Sequence, residues 1–392
     1  MSSAPHDDDR LPQLAGAARA HGERVIAHIE GVIEDAGGWI SFADYMGEVL
    51  YAPGLGYYSA GSRKFGAAGD FVTAPEMTPL FGAALAAQVA EVIGRLQSAD
   101  VIELGPGSGR LAADVLGALG AENTLPQRYR LLEVSADLAA RQRECLAERV
   151  PELRSRVEWI ERLPARWRGV LIANEVLDAV PPHLIVRKES VWLERGVRLV
   201  DGRLSLADRP LPFGALRDAA ITAFPPHGDY VSEVNPAAQA LIRSLAERCE
   251  AGLLLIVDYG FPAAEYYHPQ RAAGTVVAHY RHRAVHDPLL YPGLSDLSAH
   301  VDFSAIARAG VAGGMRVAGF TSQAHFLVNC GILDALGRCG DPQTARYLRE
   351  AAAVQKLLSP AEMGELFKVL ALVRGVDGPL TGFRDGDRTQ RL

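Results

Sequence analysis

VIELGPGSGRLAADVL, residues 101–116, runs from an apolar strand through a glycine-rich loop into a helical period. Glycine at 105, 107 and 109 lets the backbone turn sharply and leaves main-chain atoms open to a ligand. The pattern on either side repeats this alternation. Short apolar runs at Val101–Leu104, Tyr129–Glu133, Val157–Ile160, Val170–Ala173, Leu253–Val257 and Phe367–Val373 are separated by helical stretches such as Leu111–Leu119, Ala136–Arg149 and Pro236–Glu250. Asn235 and Pro236 announce the start of the last of these helices, and Gly252 its end. Continuous apolar strands alternating with helices imply a parallel sheet covered on both faces. The fold expected is a doubly wound, Rossmann-like α/β domain.

Outside that core the pattern changes. Residues 1–20 read as a flexible tail and 21–78 as a helical N-terminal lobe. Val25, Ile26, Ile29, Val32 and Ile33 fall at helical spacing there, and Ser41 with Asp44 marks a second helix start. The lobe includes the Gly/Pro and aromatic stretch at residues 51–76, too long for an incidental connection. The main domain is expected over 79–374 with inserts near 188–235 and 261–305, followed by a flexible tail at 375–392. The first insert contains the hairpin-like VWLERGVRLVDGRLSL.

Composition excludes several classes. With 392 residues, 48% hydrophobic and 22% charged, the chain has enough apolar material to fold. No apolar run is long enough to span a membrane. A net charge of −7 argues against a nucleic-acid coat. Cys145, Cys249, Cys330 and Cys339 show no CxxC spacing, which fits reduced thiols in a cytoplasmic setting better than a disulfide scaffold. The three consecutive Asp near the start fit neither a signal peptide nor a transit peptide.

Two cofactors compete for the glycine loop. From Gly107 the residues GSGRLA satisfy the dinucleotide GxGxxG/A pattern, so a nicotinamide-dependent oxidoreductase stays open. Three details favour S-adenosylmethionine. Glu103 precedes the first glycine, where methyltransferases of the common class hold an acid. Pro106 removes an N–H that a pyrophosphate would seek. The next strand ends in LLEVS, which offers Glu133 to two ribose hydroxyls. A second signal is GVLIANEVLDAVPP, residues 169–182. Ligands of open parallel sheets lie outside the carboxyl ends of the strands, where Asn174, Glu175 and Asp178 fall. If a helical turn starts there, Glu175 and Asp178 share a face suited to a cationic acceptor. Asp258 marks a further acid-bearing strand end.

YAPGLGYYSAG, FGAAGDFVTAPEMTPLFG, ELGPGSGRL, LLEVSADLAARQ, ANEVLDAVP, IVDYGF, HDPLLYPGLSDLSAHVDF and MGELFKVLAL follow one another in the order of the MidA family, which this chain resembles from about Ser41 to Arg374. Ala136 stands where Pro is common, and His183 follows two prolines where one is usual. The resemblance implies a class I methyltransferase fold with an added lobe and S-adenosylmethionine as cofactor. It also implies a protein arginine as acceptor, with a link to respiratory complex I assembly, a complex I subunit being the candidate partner. On that reading Glu103, Gly105, Gly107, Gly109, Glu133 and Asn174 hold the cofactor, and Glu175, with Asp178 and Asp70, serves the acceptor. A non-catalytic assembly scaffold is the alternative from another class. His279, His282 and His286 complete no metal-ligand set, Ser108 lacks a GxSxG elbow, and Asp302 reads as a helix N-cap.

Overall fold

Leu253–Val257 are almost wholly inaccessible to water, as a strand covered on both faces must be. The computed structural model describes residues 14, 16–60, 73–281 and 283–392. Asp70, Phe65, Phe71 and His282 lie outside them. The chain forms two compact units, one of Met1–Phe71, Ala179–Ala237 and Tyr267–His300, the other of Val72–Asp178, Ala238–Tyr266 and Val301–Leu392.

The second unit is built on an eight-stranded sheet whose continuous run is β1 (Asp100–Leu104), β2 (Tyr129–Leu132), β3 (Val157–Ile160), β4 (Trp167–Asn174), β5 (Cys249–Phe261), β6 (Arg316–Ser322) and β7 (Phe367–Arg374), with the short strand Val301–Asp302 pairing the end of β5. Their order is β3-β2-β1-β4-β5-β7-β6. The first five are parallel, and β7 lies antiparallel to both β5 and β6. The chain winds outward from β1 to β3, then returns to place β4 on the other side of β1. That reversal opens a crevice at the carboxyl ends of β1 and β4. Gly105 and Asn174–Glu175 sit at those ends.

Three boundaries differ from the sequence reading. β5 begins at Cys249, because Cys249 and Ala251 pair with Trp167 and Arg168, so the preceding helix stops at Arg248. No helix follows Asn174; residues 175–181 form bends and turns. Residues 375–392 pack as part of this unit and do not form a free tail. Val376, Leu380 and Phe383 are buried, and Arg388 N–H donates to the Phe320 carbonyl of β6 at 2.6 Å. Apolar anchors spaced along a Gly/Asp/Arg-rich sequence are enough to dock it.

The first unit is mixed, not a helical lobe. The helix Gly16–Asp35 begins within the stretch expected to be a tail. Phe42–Tyr51 follows, capped by Ser41 and Asp44 in a reciprocal capping box. These helices share one apolar core with strands from both expected inserts: Val25, Ile29, Phe42 and Met46 pack with Val197, Ala278 and Leu297. The inserts therefore complete this unit. The strands Val191–Val200 and Arg203–Pro210 form the expected hairpin, closed by Asp201-Gly202, both at positive φ. Tyr57 is buried in this unit, and Tyr58 donates to Asp296 Oδ1 at 2.9 Å. No described helix is long and apolar enough to cross a membrane.

Candidate active site

The glycine loop leaves β1 with Gly105, Gly107 and Gly109 at φ +58°, +52° and +82°, a region that disfavours any Cβ. Space is limited too. A Cβ at Gly105 would stand 3.3 Å from Val176 Cγ2, and one at Gly109 only 3.1 Å from Gln142 Cα. The first contact shows that the loop abuts the turn after β4. Ser108 Oγ donates to Glu76 Oε1, which ties the loop to the short helix Ala74–Met77. Two residues before Gly105, Glu103 is buried and accepts a 2.6 Å bond from the Tyr129 hydroxyl. Burial pushes its pKa up to about 8, against the lowering effect of that bond. The side chain braces β1 against β2.

Glu133 ends β2. Its Oε1 accepts the Ser135 N–H at 2.8 Å and its Oε2 the Gln142 amide at 2.9 Å. Burial raises its pKa, and these bonds oppose the rise. The same Gln142 amide donates to the Gly107 carbonyl at 2.9 Å, while Gln142 Oε1 accepts from the Trp159 indole at 3.0 Å.

The acids after β4 are brought together by a device other than the shared helical face expected. Asp258 of β5 is fully buried, and its Oδ2 accepts three successive N–H groups, from Val176 (3.2 Å), Leu177 (2.9 Å) and Asp178 (3.3 Å). Its Oδ1 accepts from Tyr259 N–H at 2.9 Å. Asp258 thus caps a turn from within the core. At the head of that turn Glu175 holds φ +52°, unusual for a residue with a side chain. Its carboxylate accepts from Asn174 Nδ2 at 3.2 Å and from the Ala74 N–H. Its pKa is pushed up to about 8 by desolvation and then by the Asp178 charge, although the residue keeps some exposure to solvent. Asp258 is raised well above the usual carboxylate range by burial and by Asp178 and Glu175. Asn174 Oδ1 is buried with no hydrogen-bond partner among the described residues.

These residues fit S-adenosylmethionine. A left-handed glycine cradle stands at the switch point, a carboxylate follows the next strand, and an orphaned amide oxygen lies at the end of β4. Sheet and site together define an S-adenosylmethionine-dependent methyltransferase. A family model described as "Putative S-adenosyl-L-methionine-dependent methyltransferase" matches residues 84–321. A crystal structure from Burkholderia thailandensis, bound to S-adenosyl-homocysteine, is 47% identical, with a TM-score of 0.94 over 97% of this chain and 100% of that one. The chain belongs to this methyltransferase family, the MidA-like one its motifs resemble. Curated relatives include the protein arginine methyltransferase NDUFAF7, mitochondrial, of Danio rerio, 32% identical over 86% of this chain and 84% of its own length. The Mus musculus protein of the same name is 31% identical over 86% and 81%.

The cytoplasmic setting expected from the cysteines is corrected by these relatives, whose names place them in mitochondria. Unpaired thiols report a reducing environment and carry no address. Glu103, Gly105, Gly107, Gly109, Glu133, Asn174, Glu175 and Asp178 all fall in one unit, and Asp70 lies outside the described residues. Sequence reasoning missed Gln142 and Trp159, and it set Asp258 at the cleft edge. Gln142 sits in a polar helix stretch with no motif to mark it. Asp258 carried a signal, an acid closing an apolar run, but not the direction its side chain takes.

Proposed function

We propose that the chain methylates a protein arginine, on a Rossmann-like, doubly wound class I methyltransferase domain, and that the acceptor is a subunit of respiratory complex I. The observation that carries the arginine reading is Glu175. It is a carboxylate held at left-handed φ beside Asp178, one residue from the side chain that touches the cofactor loop. The names of the curated relatives support the same acceptor.

S-adenosylmethionine supplies an electrophilic methyl group, and its in-line displacement requires sulfur, methyl carbon and acceptor nitrogen to be collinear. Gly105, Gly107 and Gly109 hold the methionine end, Glu133 the ribose, and Glu103 supports the loop through Tyr129. Asn174 Oδ1, buried without a partner among the described residues, accepts an N–H of the cofactor. Glu175, with Asp178, takes the guanidinium through paired N–H···O bonds. The arriving cation favours the charged carboxylate, so Glu175 gives up its proton as the guanidinium enters. As the new N–C bond forms, the nitrogen leaves conjugation with its plane, and the carboxylate concentrates electron density there. The surplus N–H proton leaves for solvent afterwards.

The test is transfer of radiolabelled methyl from S-adenosylmethionine into the proteome of a strain lacking this chain. After acid hydrolysis the label should run with methylated arginine in a complex I subunit. Label on another residue would sink the arginine reading, and label in another protein the complex I reading. A scaffold without activity labels nothing.

A further inference from the structure

We infer that Gln142 is a positioning residue for the cofactor, its single amide locking the glycine loop and the ribose carboxylate into one rigid unit. The inference rests on the reading of Gly107 and Glu133 as cofactor contacts. Its geometry is independent of the acceptor. Gln142 is fully buried in the helix Ala136–Arg149, and its side chain makes three bonds. Nε2 donates to Gly107 O at 2.9 Å and to Glu133 Oε2 at 2.9 Å, and Oε1 accepts from Trp159 Nε1 at 3.0 Å. Only one orientation of the amide satisfies these partners. An indole can only donate, whereas a carbonyl and an ionised carboxylate can only accept. Trp159 therefore fixes which end faces the site, and both amide protons go to groups on the cofactor side. Gly109 lets the helix come this close, since a Cβ there would press on Gln142 Cα, Cβ and Cγ at 3.1–3.2 Å.

The consequence is functional. Glu133 must present its remaining lone pairs to two hydroxyls in a fixed direction, and Gly107 must hold a left-handed turn. A carboxylate fixed at one oxygen by Ser135 N–H and at the other by Gln142 cannot rotate away. Neither group alone couples the two halves of the cofactor site; the shared amide does.

The experiment is calorimetric titration of the full chain with S-adenosylhomocysteine. Gln142→Leu, which keeps much of the volume, should weaken binding roughly 10-fold or more by removing a charge-assisted bond and the loop tether together. Trp159→Phe keeps Gln142 but frees its orientation, and should cost several-fold less. Gln142→Glu provides a readout that packing would not move. It sets a second carboxylate against Glu133, and two such groups share a proton. Its affinity should tighten toward wild type as pH falls from 8 to 5, while wild type does not tighten over that range. The groups facing position 142 are the Glu133 carboxylate, the Gly107 carbonyl and the Trp159 indole, with the Arg143 guanidinium 4.6 Å from that ring. Wild-type affinity in Gln142→Leu, or a Gln142→Glu affinity indifferent to pH, overturns the inference. Unchanged affinity in Glu133→Gln would instead overturn the ribose reading beneath it.

Discussion

Glu175→Gln isolates the charge of the acceptor carboxylate while leaving its shape. The Gln oxygen can still accept from Asn174 Nδ2 and the Ala74 N–H, so the turn capped by Asp258 keeps its bonds. With a pKa near 8, Glu175 alone is protonated about tenfold more often than not at pH 7. Ionising it at that pH costs about 1.4 kcal/mol, which the arriving guanidinium must offset. One preorganised electrostatic contact to transition-state charge contributes about 3–4 kcal/mol, so transfer should fall roughly 10²- to 10³-fold. S-adenosylhomocysteine affinity should stay within about threefold, since the lost contact is to the acceptor side. Wild-type transfer at subsaturating acceptor should climb with pH and level off near 8, and the variant should lose that limb. Stability moves the other way. Because the folded pKa lies above its unfolded value of 4.5, the folded chain keeps a proton the unfolded chain has lost, and stability falls as pH rises between those values. The Glu175→Gln protein escapes that fall and should melt higher than wild type at pH 8–9 but alike near pH 4.5. Single-turnover methylation of the identified acceptor decides the matter. Wild-type rates in the variant would refute the carboxylate role and return Glu175 to a strand-end acid.

Gly107→Val forces a β-branched residue into φ +52° and should abolish S-adenosylhomocysteine binding by calorimetry while the fold survives by circular dichroism. Glu103→Gln should leave cofactor affinity within a few-fold, because the acid is largely protonated at pH 7 and an amide oxygen can still accept from Tyr129. Its thermal melts should gain on wild type as pH rises from about 4.5 to about 8, the same sign as Glu175, and a large affinity loss would mean direct cofactor contact. Asp258→Leu strips the acceptor from four N–H groups and should cost about 1–3 kcal/mol or more in denaturant titration. Methyl transfer should fall at least 10-fold in that variant with cofactor affinity little changed, and equal loss of both would place Asp258 in the cofactor site instead.

Local signals carried the parallel core of the sheet. Apolar runs such as Leu253–Val257 can only be strands buried on both faces, and a glycine loop between strand and helix points to a cofactor wherever the sheet ends up. The hairpin closed by Asp201-Gly202 and the capping box of Ser41 and Asp44 were legible for the same reason, since each depends on residues only a few positions apart. What the sequence left open depends on distance along the chain. Residues 188–235 and 261–305 looked like inserts because partners in the apolar core, Val25 to Met46, lie far upstream. The stretch after Gly375 looked like a tail because three buried side chains among many polar ones make no period. Glu175 and Asp178 could be paired from spacing, but by the wrong device. A helical turn was the local solution, and the tertiary one is a carboxylate on β5, some eighty positions away, capping three backbone N–H groups. Gln142 was invisible altogether, because an amide takes its role only from the donors and acceptors folding sets around it. Sequence alone determined which backbone elements form and which chemistry they carry, since propensity and the functional group of each side chain are local. Where each buried polar group finds its partner was decided by the packed sheet, because desolvation makes an unpaired group too costly to leave.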